Sequence, residues 1–277
     1  MEKIDYLVAG HISADVIPGG TKIGGAVAYA GRTAQALGCR TAALTSAAPG
    51  YNWEAALPGI LVHAVPAAET TTFENVYTPS GRVQTVHGWA ERLTTAHLPE
   101  SWKRASIVHL APIANEVDPD LIYSFSNSVV GLTPQGWLRR WDENGRVYAT
   151  NWERAAEILP LAAAVILSEE DLPDRATLEA YRQWSRLLVL TQGKEGCTLF
   201  MDDEVQHIPA PVVREVEPTG AGDIFAAAFL TRLYQTAGNP WEAARFANEI
   251  ASLSVTKPDL PSKITLIQEH MRQYIER

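Results

Sequence analysis

The sequence predicts an α/β fold in which a mostly parallel central sheet lies between two layers of helices. Two observations predict it: short apolar runs of strand length recur along the chain, and helical segments separate them. The chain has 277 residues, of which 46% are hydrophobic, so it can bury a substantial core. We therefore expect one large domain over residues 1–277.

The individual elements follow in chain order. Residues 4–9 form an apolar run that ends at Gly10, which predicts a buried first strand. Residues 25–37 are alanine-rich and precede Gly38, which predicts a helix with its C-terminal stop. Further strands are predicted at 41–46, 59–65, 106–111, 129–133, 163–168 and 187–191, and helices around 119–126, 152–161 and 175–186.

Residues 239–242 have the pattern of a complete helix N-terminus. Asn239 is the predicted cap, Pro240 occupies the first helical position, and Glu242 is expected to reach back to the cap. Ligands of such open sheets lie at the carboxyl ends of the strands, which is where we expect the functional site.

Residues 70–85 break the pattern, because polar and apolar residues alternate around Pro79-Ser80-Gly81. This alternation predicts a hairpin with one solvated face. Together with residues 15–23 it could form a small sheet that projects from the main body, although a plain surface hairpin is the alternative.

Composition excludes several classes of partner. A net charge of −9 with scattered acidic residues argues against nucleic acid or an anionic membrane. No apolar run reaches the length of about 18 residues that a membrane span needs, and the first residues do not resemble a signal peptide. Cys39 and Cys197 are isolated, so disulfide and zinc frameworks are not expected. A cytoplasmic location is the resulting expectation.

The most informative segment reads Glu217-Pro218-Thr219-Gly220-Ala221-Gly222-Asp223 and is followed at once by an apolar run. The small residues predict a sharp turn at a helix N-terminus, where free N–H groups and the helix dipole favour an anion. We expect a positive φ at Gly222. An acid beside a bound anion is typical of a base that removes a hydroxyl proton during phosphoryl transfer. A tight loop with Asp223 as a dipole partner is the alternative.

This motif resembles the second signature of the PfkB (ribokinase-like) sugar kinases, Asp-x-Thr-Gly-Ala-Gly-Asp-x-Phe, and departs from it only at Glu217. The resemblance implies a ribokinase-like three-layer fold with a small β-sheet lid, built here from about 11–24 and 70–90. It also implies that Asp223 is the base, and that the N–H groups of Gly220, Ala221 and Gly222 stabilise the transferred group.

Other positions match the family's acceptor site. Asp15 corresponds to the acid that holds substrate hydroxyls, with a solvated loop acid as the alternative. Gly24 and Gly25 resemble the first signature, whose small residues let the backbone approach a polyol. Tyr29 stands where many members carry a substrate-binding Asn, so its ring is expected to wall the acceptor pocket or to turn into the core.

The resemblance also implies a nucleotide site. Thr191 and Gly193 match the Thr-x-Gly turn near the nucleotide, Thr219 lies in the motif, and Asn248 matches a position beside the adenine. The segment that organises Mg²⁺ through water reads Ser168-Glu169-Glu170-Asp171 and departs from the usual Asn and Glu, which leaves Glu170 and Asp171 as candidate metal residues. Arg139 or Arg140 could bind phosphate or lie on the surface.

The block Leu132–Arg140 and the Gly-Gly-Ala-x-x-aromatic pattern look most like the inositol kinase branch. The resemblance thus implies a kinase that transfers the γ-phosphoryl group of ATP, with Mg²⁺, to a hydroxyl of a sugar or cyclic polyol. Such an enzyme would act as a monomer or homodimer on a small-molecule substrate. A nucleoside kinase of the same family and a non-catalytic ligand-binding homologue are the alternatives.

Overall fold

The computed structural model describes residues 3–78 and 81–275. Its strands are, in chain order, β1 (Tyr6–Ala9), β2 (Ser13–Ile17), β3 (Gly20–Gly24), β4 (Thr41–Ala47), β5 (Leu61–Pro66), β6 (Thr72–Thr78), β7 (Gly81–Gly88), β8 (Ile107–Leu110), β9 (Val129–Leu132), β10 (Arg139–Trp141), β11 (Val147–Ala149), β12 (Ala164–Ser168), β13 (Leu188–Thr191), β14 (Cys197–Met201) and β15 (Glu204–Ile208). Its helices are α1 (Ala26–Ala36), α2 (Trp53–Ala56), α3 (Ala155–Ile158), α4 (Arg175–Trp184), α5 (Ala221–Gln235), α6 (Pro240–Ser254) and α7 (Leu260–Ile275).

Nine strands form the central sheet in the order β15-β14-β13-β12-β9-β8-β1-β4-β5. All neighbours from β13 to β5 are parallel, while β14 runs antiparallel to both strands beside it. The predicted α/β class is therefore confirmed, and each predicted strand lies within two residues of its expected bounds.

Helices cover both faces of this sheet, and the alternation along β1 divides the core between them. Tyr6 and Val8 belong to one cluster, which contains the buried side chains of α1, α5, α6 and α7. Leu7 and Ala9 belong to the other, which contains those of α3 and α4. The core of the molecule therefore consists of two apolar layers, as expected for a sheet that is buried on both faces.

A second, four-stranded sheet has the order β3-β2-β6-β7. It pairs the hairpin of β6 and β7 with β2, through a parallel contact between β2 and β6. The predicted small sheet is thus present, and the predicted turn residues Pro79 and Ser80 lie outside the described residues. A short antiparallel pair, β10 with β11, adjoins β7 through a hydrogen bond from Val86 N–H to Gly145 O of 2.8 Å.

Three local predictions need correction. The helix expected around 119–126 is a 3₁₀ segment, Pro119–Ser124, and the one expected at 152–161 consists of α3 followed by a 3₁₀ turn, Leu159–Leu161. Pro160 interrupts the latter, since it has no N–H to donate to the preceding turn. Asn239 caps α6 as predicted, whereas the Glu242 carboxylate pairs with Arg232.

Within the described part of the chain, no helix combines the length and the apolar character that crossing a membrane requires.

Candidate active site

The predicted site residues from several elements meet at one edge of the central sheet. Arg139 follows β9, Asp171 follows β12, and Asp15 lies in β2 beyond the end of β1. All three charges act on Asp223 in the first turn of α5. Because β1, β9 and β12 belong to the parallel part of the sheet, their carboxyl ends bring these segments together.

The turn before α5 places its amide groups as a helix N-terminus does. Gly220 is the N-cap in a left-handed conformation, with φ of 79°. The Ala221 N–H already donates to Pro218 O at 3.0 Å, whereas no described residue accepts from the N–H groups of Gly220, Gly222 or Asp223. The expected contribution of Ala221 to an anion hole is therefore corrected, since its N–H closes the turn.

Gly220 and Gly222 differ in a way that the sequence did not indicate. The positive φ expected at Gly222 occurs instead at Gly220. A Cβ at Gly220 would collide with the ring of Tyr29, whereas a Cβ at Gly222 would enter open space. Gly220 is thus required by backbone geometry and packing, while Gly222 leaves room outside the helix N-terminus.

Tyr29 lies beneath this turn. Its side chain is 5% exposed and belongs to the core cluster of α1 and α5. Burial raises its pKa well above the ordinary value, and the carboxylates of Asp15 and Asp223 add to that increase. The ring therefore packs in the core, which was one of the two expected positions, while the phenol stays within electrostatic reach of both acids.

Burial raises the pKa of Asp223 to about 7. The carboxylates of Asp171 and Asp15 act in the same direction, and the guanidinium of Arg139 opposes them. A carboxyl group in this range changes its protonation state near neutral pH, as a general base requires.

Asp15 and the two glycines of the first signature pack on one another. Burial raises the pKa of Asp15, whose carboxylate accepts a hydrogen bond of 3.3 Å from the Ser13 hydroxyl. A Cβ at Gly24 would strike this carboxylate, and one at Gly25 would strike the backbone of residues 11–13. The glycines thus allow a close approach of the chain to itself, where a close approach to a polyol was expected.

Asp171 belongs to a polar cluster that the sequence did not indicate. The Gln135 side-chain amide donates to both carboxylate oxygens, at 3.0 and 3.1 Å, and an Arg139 nitrogen lies 3.7 Å from one of them. Arg139 is 10% exposed and also donates to Ile113 O at 3.1 Å. Arg140 lies on β10 with its guanidinium over the Tyr148 ring. Of the two arginines, Arg139 is the one that acts on Asp223.

The segment considered for magnesium offers few free ligands. Asp171 is engaged as described, and Glu170 is exposed, with its N–H donating to the Ser168 hydroxyl at 3.2 Å. The described residues include no group of three or more His, Cys, Asp and Glu side chains that could hold a metal ion. The donor set therefore fits an ion held mainly by water and phosphate oxygens, with Glu170 as the accessible carboxylate.

The positions expected to bind the nucleotide form hydrogen bonds within the chain. The Thr191 hydroxyl donates to Leu167 O at 3.3 Å, and the Thr219 hydroxyl donates to the Glu217 carboxylate at 2.6 Å. Asn248 is buried, and its amide donates to Ile208 O at 2.9 Å at the end of β15. Gly193 begins a 3₁₀ turn after β13, with open space where a Cβ would lie.

Comparison with known proteins shows a likeness to one family of kinases. A family profile described as "pfkB family carbohydrate kinase" matches residues 147–264, which include the turn and the whole of α5 and α6. The chain is similar to the pfkB family over this segment. Its resemblance to that family, inferred from the motif at 217–223, is thereby confirmed.

Similar proteins extend the match over nearly the whole chain. It is 27% identical to cytidine kinase of Thermococcus kodakarensis, over 82% of this chain and 87% of that protein. It is 26% identical to inositol 3-kinase of Zea mays, over 99% of this chain and 78% of that protein. A structure of a pyrophosphate-dependent kinase in the ribokinase family, complexed with a pyrophosphate analog and myo-inositol, has a TM-score of 0.76 at 23% identity and covers 90% of this chain and 94% of that one. The ribokinase-like fold is confirmed.

Proposed function

We propose that this protein is a kinase of the pfkB type that transfers the γ-phosphoryl group of ATP to a hydroxyl of a cyclic polyol similar to inositol, or of a sugar. The observation that carries the proposal is Asp223, whose pKa is raised to about 7, beside N–H groups that have no acceptor at the N-terminus of α5. The likeness to inositol 3-kinase of Zea mays over nearly the whole chain supports a cyclic polyol as acceptor.

In the proposed reaction, the Asp223 carboxylate removes the acceptor's hydroxyl proton as that oxygen attacks the γ-phosphorus and ADP leaves. The N–H groups of Gly220 and Gly222 bind the transferred group, and the positive end of α5 stabilises its charge. Arg139 adds a cation that acts electrostatically on Asp223. No step requires a covalent intermediate, because positioning and charge stabilisation suffice for phosphoryl transfer.

The acceptor is proposed to bind between Asp223 and the four-stranded sheet. Asp15 lies on that sheet and acts electrostatically on Asp223, and we propose that one polyol contacts both acids. An ionised carboxylate can accept two hydroxyl hydrogen bonds. The phenol of Tyr29, within reach of both acids, would lie at the boundary of the acceptor pocket.

The four-stranded sheet of β2, β3, β6 and β7 is proposed to act as a lid over the acceptor, as part of one kinase domain. It carries Asp15 toward the site, and its Lys22 lies 3.7 Å from Glu217 of the turn. Closure would exclude water and so prevent hydrolysis of the donor.

Magnesium is proposed to bind near Glu170, through water and donor phosphates. When bound, the ion would neutralise part of the charge of the donor phosphates. Thr191, Gly193 and Thr219 are proposed to shape the nucleotide site, and Asn248 to fix the chain after β15 that borders it.

Pyrophosphate is a second candidate donor. The observation that favours it is the structural likeness to a pyrophosphate-dependent kinase of the ribokinase family. The anion-binding turn requires only phosphate groups, so the turn itself is compatible with either donor.

The test crosses two donors, ATP and pyrophosphate, with a panel of myo-inositol, ribose, fructose and cytidine, in the presence of Mg²⁺. Products are followed by ³¹P nuclear magnetic resonance, with Asp223→Asn as the control for background hydrolysis. Phosphorylated inositol formed from ATP is the expected result. Preferential phosphorylation of cytidine would establish the nucleoside kinase alternative, which the cytidine kinase of Thermococcus kodakarensis represents. Donor binding without turnover of any acceptor would support the non-catalytic homologue.

A further inference from the structure

Lys263 of α7 is fully buried, with 1% of its surface exposed, and it ends directly beneath the turn that precedes α5. Its ammonium donates to two main-chain carbonyl oxygens of that turn, Glu217 O and Thr219 O, each at 2.7 Å. The Tyr29 ring lies 5.9 Å away on the side of Gly220. Nothing in the motif at 217–223 indicated that a residue 40 positions later completes it.

The two carbonyl groups point at one spot, where their partial negative charges would repel each other without a cation between them. The Thr219 N–H cannot take the place of the ammonium as a donor to these carbonyl groups, because it already donates to the Glu217 carboxylate at 3.0 Å. Burial lowers the pKa of Lys263, while the acidic groups of Glu217, Asp259 and Glu215 oppose that effect and Lys22 adds to it. Two carbonyl oxygens at 2.7 Å fit the ammonium form, which has three N–H donors and no acceptor.

The two carbonyl groups belong to the residues that set the course of the chain into Gly220. Gly220 follows Thr219 directly, takes the left-handed conformation, and leads into the N–H groups at the start of α5. The Thr219 carbonyl and the Gly220 N–H lie in the same peptide plane, so a change in the direction of that carbonyl also turns the Gly220 N–H. The ammonium therefore fixes the orientation of an amide that the proposed reaction uses.

We propose that Lys263 is a positioning residue for phosphoryl transfer, and that its ammonium serves as a built-in cation which holds the anion-binding turn in its active geometry. The part that concerns phosphoryl transfer rests on the proposed function. Carbonyl oxygens also bind ammonium and potassium ions. The Lys263 ammonium occupies the position between Glu217 O and Thr219 O where such an ion would bind. The turn of this protein is thus formed without a dissolved monovalent cation.

The first test uses Lys263→Met, which keeps the length of the side chain and removes its charge, with Lys3→Met as an exposed control. Turnover is measured with the donor and acceptor identified for the wild type. We expect kcat to fall about 100-fold, as for a misplaced reacting group. Ammonium or potassium chloride should restore it at least tenfold, while the same concentration of N-methylglucamine chloride, whose cation is too large, should not. The wild type and Lys3→Met should respond equally little to all three salts.

Loss of turnover in folded Lys263→Met that ammonium, potassium and N-methylglucamine all leave unchanged, or all restore alike, would overturn the proposal. So would a variant that keeps wild-type kcat without added ammonium or potassium.

A second test does not depend on catalysis. Crystals of Lys263→Met soaked in rubidium chloride should show an anomalous peak between Glu217 O and Thr219 O, and wild-type crystals should show none there. If the variant crystallises poorly, its melting temperature should rise with potassium more than that of the wild type. An inactive wild type would refute the proposed function and leave these two measurements valid, whereas a missing peak and an unchanged melting temperature would refute the cation role itself.

Discussion

At the scale of single residues, Asp223 has a protonation state that varies with pH across the neutral range. Burial raises its pKa to about 7, so the carboxylate form that can accept a proton is in the minority below that pH. We expect kcat/KM of the wild type to rise with pH through an inflection near 7 and to level off above it. Asp223→Asn should lose roughly two to four powers of ten in kcat, because the amide cannot take the hydroxyl proton. Steady-state kinetics from pH 5 to pH 9 check both expectations.

Nucleotide affinity, measured by calorimetry, should change little in this variant. Retention of more than a tenth of the wild-type kcat, with chemistry rate-limiting, would show that Asp223 is not the base.

The same raised pKa has a consequence for stability. The folded pKa of Asp223 lies above its ordinary value of 3.8, so the native state binds the proton more tightly than the unfolded state does. The free energy of unfolding should therefore fall as pH rises from about 4 to 7, and this loss should be complete above 7. Asp223→Asn removes the penalty and should stabilise the protein at pH 8 by about 1–4 kcal/mol.

Urea unfolding of the wild type and of Asp223→Asn at pH 4, 6 and 8 measures this difference, with the exposed Asp203→Asn as the matched control. A difference that does not grow between pH 4 and 8 would contradict the assigned pKa.

Sequence reasoning proposed individual site residues but not the distant residues that they contact. Asp15, Asp223 and the turn were recognised from their motifs, because a glycine-rich turn and an apolar helix are local patterns. Gln135 beside Asp171 and Lys263 beneath the turn were not recognised, because a single polar residue carries no signal of which distant carboxylate or carbonyl it meets. The local role of Ala221, whose N–H closes the turn, also depends on the folded geometry.

At the scale of elements, Gly220 and Gly222 in the turn before α5 have different roles: Gly220 is required by the fold, and Gly222 leaves space for the donor. Gly220→Ala should destabilise the protein by about 1–3 kcal/mol, because its φ of 79° is left-handed and the new methyl group meets the Tyr29 ring. Gly222→Ala should leave the free energy of unfolding nearly unchanged, because its methyl group enters open space, and should weaken donor binding by crowding that space. Urea unfolding and calorimetric titration with the donor distinguish the two variants.

Equal losses of stability in the two variants would show that Gly222 is also required by the fold. Unchanged donor affinity in Gly222→Ala would show that the phosphates bind elsewhere than this turn.

The order of elements was predictable because each strand of the parallel sheet corresponds to a separate short apolar run in the sequence. The hairpin of β14 and β15 was not predicted, since β15 is largely exposed and lacks the apolar pattern. The segment around Pro119 is a 3₁₀ segment, and the one before Pro160 is the short helix α3 followed by a 3₁₀ turn, because apolar spacing alone cannot distinguish a long helix from shorter segments.

At the scale of the whole molecule, the four-stranded sheet is joined to the turn by weak contacts. The pair of Lys22 with Glu217 is 3.7 Å long and partly exposed, so it contributes little stability by itself. We expect acceptor binding to slow amide hydrogen exchange in β2, β3, β6 and β7 while leaving β1 and β8 unchanged, because the proposed lid closes over the acceptor.

Exchange followed by mass spectrometry, with and without the acceptor, tests this prediction, and Asp15→Asn serves as the variant that should lose the effect. Unchanged exchange in the small sheet, at acceptor concentrations that saturate binding by calorimetry, would rule out a lid.

The proposed active site consists of residues from two different stretches of the chain. The acid proposed for the acceptor lies in β2, whereas Asp223, its turn and the supporting lysine lie between residues 217 and 263, within the part that the family profile matches. Because of this division, substitutions in the first hundred residues can change acceptor specificity while the residues proposed to bind the donor phosphates stay the same. A chimera of this protein that takes residues 11–24 and 70–90 from a relative with a different acceptor should therefore phosphorylate that relative's acceptor. It should keep the phosphate donor of this protein.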